Sequence, residues 1–235
     1  LNSPTAIAIE LRHVSGACSD GSCIGDTSVS FAAGRLHVLR GPADGGKSAL
    51  FRFAGLLEAP TSGEVLVQGQ SVRGLTEEAR TDLRGQRLGF AFAAPFLLDS
   101  FTAIENVAMP LFKISHVGPD EARRRTEAIL DFVGLAGAAE THIDDLTPPA
   151  QYRLAIARAL VNEPTALFVE NLDGVLSGQD LTDYTALLRK AATTFGPAII
   201  ATASSISHLL PGDRVLHLDE GVITHDAEFL PEPCE

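Results

Sequence analysis

The chain reads as an α/β domain with a helical lobe inserted into it. Three observations predict this class: a strand-like run that enters a glycine cluster and then a helix, a mainly helical stretch from about 95 to 160, and short apolar strands that resume beyond it.

The elements follow in chain order. Ala6 to Leu11, Thr27 to Phe31 and Arg35 to Arg40 are short runs of strand character. The last leads into Gly41 to Gly46, after which Leu50, Phe51, Ala54 and Leu57 recur at helical spacing. Pro60-Thr61-Ser62-Gly63 is a turn signal, Glu64 to Gln68 alternates as a strand, and Arg87 to Phe92 is a further strand candidate. In the helical stretch, Asp120 opens a helix carrying Ala122, Ile129, Leu130 and Val133, and Gln151 to Leu160 is a second. Strands return at Ala166 to Val169, Ala198 to Thr202, Val215 to Leu218 and Val222 to Thr224. Among them Leu181, Tyr184, Leu187, Leu188 and Ala191 mark an amphipathic helix.

Composition bounds the function. A length of 235 residues suffices for one substantial domain with an insert, and a hydrophobic content of 45% is that of a packed chain. The net charge of -12 argues against a nucleic-acid partner and, more weakly, against direct adsorption to anionic lipid. No apolar run approaches the roughly 20 residues that span a bilayer. Leu1 to Glu10 has no basic n-region and no apolar h-region, so no signal peptide is expected. Cys18, Cys23 and Cys234 lack metal-ligand spacing and are expected to be reduced thiols of a cytosolic protein. Any membrane role is then expected to run through a partner that spans the membrane.

Gly41-Pro42-Ala43-Asp44-Gly45-Gly46-Lys47-Ser48 fits G-x4-G-K-[ST], after a strand and opening a helix, where that motif must sit. The glycines let main-chain N–H groups close on phosphates, and the helix N-terminus at Ala49 adds positive potential. Lys47 is expected to reach the β- and γ-phosphates of ATP and Ser48 to hold Mg2+. The chain has three lysines in all, so a chance match to this motif is improbable. Asp44 is out of place: a carboxylate inside the loop faces triphosphate charge and should weaken ATP binding.

Further segments carry a family resemblance. Leu146-Thr-Pro-Pro-Ala-Gln-Tyr-Arg-Leu-Ala-Ile-Ala-Arg-Ala-Leu160 resembles the signature segment of ABC transporter ATPases, and Pro164 to Ser177 looks like their Walker B and D-loop stretch. Phe101-Thr-Ala-Ile-Glu-Asn-Val-Ala-Met-Pro-Leu111 is similar to the segment after the Q-loop in the ATPases of lipoprotein-release and macrolide-export transporters. The resemblance covers nearly the whole chain in the right order. It implies the P-loop ABC ATPase fold, with a RecA-like core, an antiparallel β portion and a helical lobe. It implies a single domain over 1–235, with a core at 1–92 and 161–235 and a helical subdomain at 93–160.

At the motif positions the chain departs from that family. The adenine-stacking aromatic falls near Cys18, the Q-loop glutamine on Ala93, and the signature Ser-Gly-Gly on Thr147-Pro148-Pro149, followed by Ala150. The Walker B aspartate corresponds to Glu170, the catalytic glutamate to Asn171, the D-loop aspartate to Ser177 and the switch histidine to Ala203. Glu170 keeps a carboxylate on a longer arm, so together with Ser48 it remains a candidate for Mg2+. Asn171 is no base, and a lost general base typically costs about 10²–10⁴-fold. Proline has no N–H, so Pro148 and Pro149 remove donors that the family aims at the γ-phosphate of a facing subunit. His208, five residues past Ala203, is read as an ordinary surface or helix residue.

The remaining features divide into surface and docking. Arg123-Arg124-Arg125 is expected to be a solvated face with acidic neighbours, and Glu58 and Glu64 to be surface. Phe96, Leu97, Leu98 and Phe101 are candidates for the groove that receives a coupling helix from a transmembrane subunit. The first reading is an ATP-binding subunit of a membrane transport complex, docked at the cytoplasmic face and paired with a second ATPase subunit, with hydrolysis lost or slow. The alternatives are an active ABC ATPase powering export or lipoprotein extraction, and a structural or regulatory module without nucleotide.

Overall fold

The computed structural model describes residues 6–205 and 208–229; Cys234 and residues 1–5 lie outside them. Strands β1 (Ile7–Ala17), β2 (Cys23–Ala32), β4 (Ser62–Val67) and β5 (Gln70–Ser71) form an antiparallel sheet in the order β2-β1-β4-β5. Strand β1 runs six residues beyond the apolar stretch visible in the sequence. An irregularity between Leu11 and Val14, with His13 at φ 49, shifts which side chains face inward and so hides the alternation.

The second sheet has six strands in the order β10-β9-β3-β8-β7-β6. Its strands are β3 (Leu36–Arg40), β6 (Leu88–Ala91), β7 (Ala166–Val169), β8 (Ala198–Thr202), β9 (Arg214–Asp219) and β10 (Val222–Glu228). All neighbours pair in parallel except β10, which returns antiparallel on β9. Strands β7 and β8 are buried at every residue, which is why they read as unbroken apolar runs.

Helix α1 (Lys47–Ala54) follows the glycine loop, and α6 (Gly178–Phe195) lies between β7 and β8. Helix α2 (Glu77–Arg87) is absent from the sequence reading, because none of its residues is fully buried; it is started by Thr76, whose hydroxyl accepts the Ala79 N–H at 3.2 Å. The strand expected from Arg87 accordingly begins at Leu88. Between β6 and β7 stand α3 (Ala103–Pro110), a π turn (Leu111–Ser115), α4 (Pro119–Phe132) and α5 (Pro148–Leu160). Prolines open both α4 and α5, where a missing N–H costs nothing to the helix. Helix α5 thus begins three residues before the expected Gln151.

One apolar cluster joins α3, α4, α5 and α6 to one face of the six-stranded sheet. A second joins α1 and the antiparallel sheet to the other face. Phe168 is fully buried in the second, edge-on to Phe51 and stacked on Phe90, each at 5.3 Å between ring centres. These two clusters leave the carboxyl ends of β3 and β7 pointing into one shared cleft, where α1 begins.

Candidate nucleotide site

The loop between β3 and α1 is moulded by strands distant in sequence. Gly41 has φ 145, and a methyl there would sit 1.9 Å from the Leu218 carbonyl oxygen at the end of β9. A methyl at Gly45 would meet the same oxygen at 2.7 Å. Gly46, the residue before α1, has φ 93, and its methyl would lie 2.8 Å from the Cys23 carbonyl. Only glycine fits this turn, and it leaves the first N–H groups of α1 without side chains in front of them. The ammonium of Lys47 turns back to donate to Gly41 O at 2.6 Å and Pro42 O at 2.5 Å. Burial lowers its pKa, against the carboxylates of Asp44 and Asp173, which raise it. Asp44, Pro42 and Ala43 are exposed at the loop's tip. A main-chain cradle that any Cβ would fill, beside a cation, fits the phosphate chain of ATP.

Ser48 and Glu170 line one cavity of about 240 Å³, together with Phe92, Phe96 and Thr202. A hydroxyl and a carboxylate converging there fit Mg2+ bound on phosphate oxygens and water. Among the described residues no cluster of three or more His, Cys, Asp or Glu forms a metal cage. One Glu170 oxygen also accepts the Ala93 N–H at 3.3 Å.

At the positions the resemblance singles out stand Asn171, Ala203 and Ser177. Asn171 has φ 53, a conformation asparagine tolerates, and its side chain folds over Gly174, where a methyl would clash at 2.1 Å. Its own N–H goes to Thr202 Oγ1 at 2.7 Å. Ala203 is buried in the larger apolar cluster, so the switch position carries no polar atom and faces inward. Ser177 precedes α6 without capping it. His208 differs from the expectation of a surface residue: it is half-buried in a turn, both ring nitrogens lack a partner among the described residues, and burial lowers its pKa.

Two carboxylates missed in the sequence organise the surroundings. Asp173 accepts the Ser204 N–H at 2.9 and 3.0 Å and the Ser205 N–H at 2.5 Å, fastening the turn after β7 to the segment after β8. Glu58, expected to be plain surface, accepts both the N–H and the hydroxyl of Ser19 at 2.9 Å and pairs with Arg52. It thereby pins the β1–β2 turn that holds Cys18. Cys18 is buried, and burial followed by the Glu58 charge pushes its thiol up to about 11. That turn offers a base no aromatic platform.

Thr147 precedes α5, Pro148 and Pro149 occupy its first turn, and the Thr147 hydroxyl caps nothing. The donors left at this helix start are the Thr147 hydroxyl and the Ala150 N–H. Further along α5, Tyr152 Oη donates to Ala93 O at 3.0 Å, and Arg158 donates to Pro95 O and Phe96 O, both at 2.6 Å. The segment after β6 is therefore strung between Glu170 and α5. Buried Asn106 continues the hold: its Oδ1 accepts the Leu98 N–H at 2.8 Å, and its amide donates to Leu98 O at 3.1 Å and Thr102 O at 3.0 Å.

This scaffold presents Phe96 at 67%, Leu98 at 39% and Phe101 at 37% exposure. Leu97 instead turns inward against the larger cluster, because an extended segment alternates its side chains. An adjoining groove of about 400 Å³, lined by Leu57, Phe90, Phe92, Met109, Pro110 and Ile114, was not read from the sequence. The π turn that shapes it follows Pro110, whose ring prevents the ordinary helical bond. Arg123, Arg124 and Arg125 pair with Glu127 and Glu121, the solvated face expected of them.

A family model described as ABC transporter matches residues 24–171. The chain is 31% identical over 226 residues to the lipoprotein-releasing system ATP-binding protein LolD of Bordetella pertussis, covering 94% of this chain and 97% of that protein. It is 36% identical over 219 residues to the LolD protein of Maricaulis maris, covering 92% and 94%. Among solved structures, the dimeric bacterial ABC transporter cassette MJ0796 superposes with a TM-score of 0.81 at 26% identity, covering 94% of this chain and 98% of that one. CbiO1 from Clostridium perfringens, at 22% identity and a TM-score of 0.85, shares the fold. On the family match, the span of its relatives and the glycine loop at its core, the chain belongs to the ABC transporter family as an ATP-binding domain close to the LolD lipoprotein-releasing ATPases.

Proposed function

We propose that this chain is a nucleotide-holding, hydrolytically impaired subunit of an ABC transport complex. Its core is 1–92 with 161–235 and its helical lobe 93–160. The observation that carries the reading is the contrast between a formed phosphate loop at Gly41–Ser48 and Asn171, which is no base and lies folded over Gly174. Ala203 adds no polar atom, and Pro148 and Pro149 withdraw two main-chain donors. The exposed Phe96, Leu98 and Phe101, with the apolar groove beside them, support docking on a cytoplasmic helix of a transmembrane subunit. Among the described residues no helix is long and apolar enough to cross a membrane, which fits attachment through that partner at the cytoplasmic face.

Paired with a competent ATPase subunit, the chain builds two unequal sites. One joins its Lys47, Ser48 and Glu170 to the partner's signature; ATP is held there and not cut. The other joins the partner's catalytic set to Thr147–Ala150 here, and removal of preorganised donors of this kind costs about 10²–10³-fold. The test is a paired substitution in the reconstituted complex. Replacing the partner's catalytic glutamate is expected to remove nearly all turnover, while Lys47→Ala mainly lowers nucleotide occupancy. Turnover that survives the first change and dies with the second shows that this chain hydrolyses ATP and sinks the proposal.

A further inference from the structure

We propose that Arg40 is a second phosphate-binding cation of the nucleotide site, giving its guanidinium to the terminal phosphate of ATP. The inference rests on the reading that the phosphate loop holds nucleotide, and it adds a residue that no motif marks. Arg40 ends β3 and directly precedes Gly41, the first residue of the loop. Leu36 and Val38 of β3 lie in the larger apolar cluster, so alternation along the strand puts Arg40 on that same face. Leu39 pairs with Thr202 of β8, and the Ala203 N–H continues the ladder by donating to Leu39 O at 3.0 Å. Arg40 and Ala203 are therefore lateral neighbours at the carboxyl edge of the sheet, their strands about 5 Å apart. On its other side Arg40 pairs with His217 of β9.

Neither neighbour is an anion. Arg40 is half-buried and makes no hydrogen bond or ion pair among the described residues. Every other half-buried arginine has at least one, from Arg35 with Glu228 to Arg214 with Asp226. A guanidinium partly withdrawn from water is costly without an anion. The loop shows where that anion fits. In a loop of this pattern the lysine reaches the β- and γ-phosphates, and the Lys47 ammonium lies 2.6 Å from Gly41 O, one residue from Arg40. The terminal end of a triphosphate thus falls beside the end of β3, where Ala203 brings no polar atom. The arginine stem is long enough to carry its head past the strand end, and its planar fork matches two phosphate oxygens. A diphosphate lacks the group that Arg40 meets.

The experiment is calorimetric titration of the full chain with Mg-ATP and with Mg-ADP. Arg40→Met is expected to lower ATP affinity about tenfold or more and to leave ADP within about twofold. Arg40→Lys keeps the charge and the stem but not the fork, so it is expected to lose several-fold for ATP alone. Because it preserves the cation on a similar stem, it keeps the test open even where Arg40→Met fails to fold. ATP affinity unchanged in the variants, or lowered equally with that for ADP, overturns the inference and leaves nucleotide holding intact. A folded wild-type chain that binds neither nucleotide overturns the reading of the loop as well.

Discussion

Two helix starts in this molecule differ in the main-chain N–H groups they present. At α1, Gly41, Gly45 and Gly46 keep every side chain out of the cradle. At α5, Pro148 and Pro149 occupy the first turn and supply no donor at all. Both helices are equally well begun in conformational terms, since proline suits the first turn of a helix as well as any residue. Helix formation and ligand binding are therefore separable demands on the same backbone. The α5 start satisfies the first and has no N–H at Pro148 or Pro149 to offer the second.

The largest expected effect falls on the α1 side. Gly41→Ala drives a methyl into the Leu218 carbonyl at 1.9 Å and should destabilise the fold by about 3 kcal/mol or more, read as a lowered urea midpoint. A change within experimental error would mean the loop is not moulded by β9 as described.

His37, near the start of β3, makes the six-stranded sheet sensitive to acid. It is fully buried, its Nε2 shares a hydrogen bond with Ala32 O at 2.9 Å, and burial pushes its pKa down from 6.5 to about 4. The folded state thus refuses a proton that the unfolded chain accepts. Stability from the neutral imidazole is full above pH 6.5 and falls as pH drops toward 4, by roughly 3 kcal/mol over the window. His37→Phe should flatten this part of the stability–pH curve; an unchanged slope between pH 6.5 and 4 would assign the loss to other groups.

Lys47→Ala removes the loop's cation and should weaken nucleotide binding by about ten- to a hundredfold in equilibrium titration, with the melting temperature barely moved. The smallest effect belongs to α5. Pro148→Ala should cost under about 1 kcal/mol, because it only returns conformational freedom to the unfolded chain. A large loss there would show that the prolines are structural supports and not merely absent donors.

The difference between the two helix starts also marks how far the sequence can be read. The α1 loop is legible because a phosphate cradle demands glycine at set spacing, and strands β7 and β8 are legible because both faces are covered. Helix α2 is not, since it has no fully buried residue and only Leu83 to mark an apolar stripe. The irregularity in β1 concealed its second half for the same reason, a broken period. Within the site, Asn171, Ala203 and the proline pair could be placed by motif. Asp173 could not: its meaning lies in Ser204 and Ser205, 31 and 32 residues away. Glu58 reaches Ser19 over 39 residues and Tyr152 reaches Ala93 over 59, and no local pattern announces either contact. His208 is half-buried in a turn, and no local periodicity announces that burial. Leu97 was grouped with its exposed neighbours, although alternation along an extended segment turns it inward.

The contact between Gly41 and Leu218 has a consequence for how the protein is made. The loop's shape is pressed into it by the end of β9, and the Gly45 carbonyl accepts the Gly221 N–H at 3.3 Å. A chain leaving the ribosome from its amino end has the loop's own residues in solution long before it has Leu218 and Gly221. Until the β9–β10 hairpin arrives, the loop lacks the Leu218 and Gly221 contacts that complete its form. The phosphate loop, translated well before β9, is among the last parts to be completed, and a nascent chain halted before β9 is expected to carry the motif with an incomplete cradle.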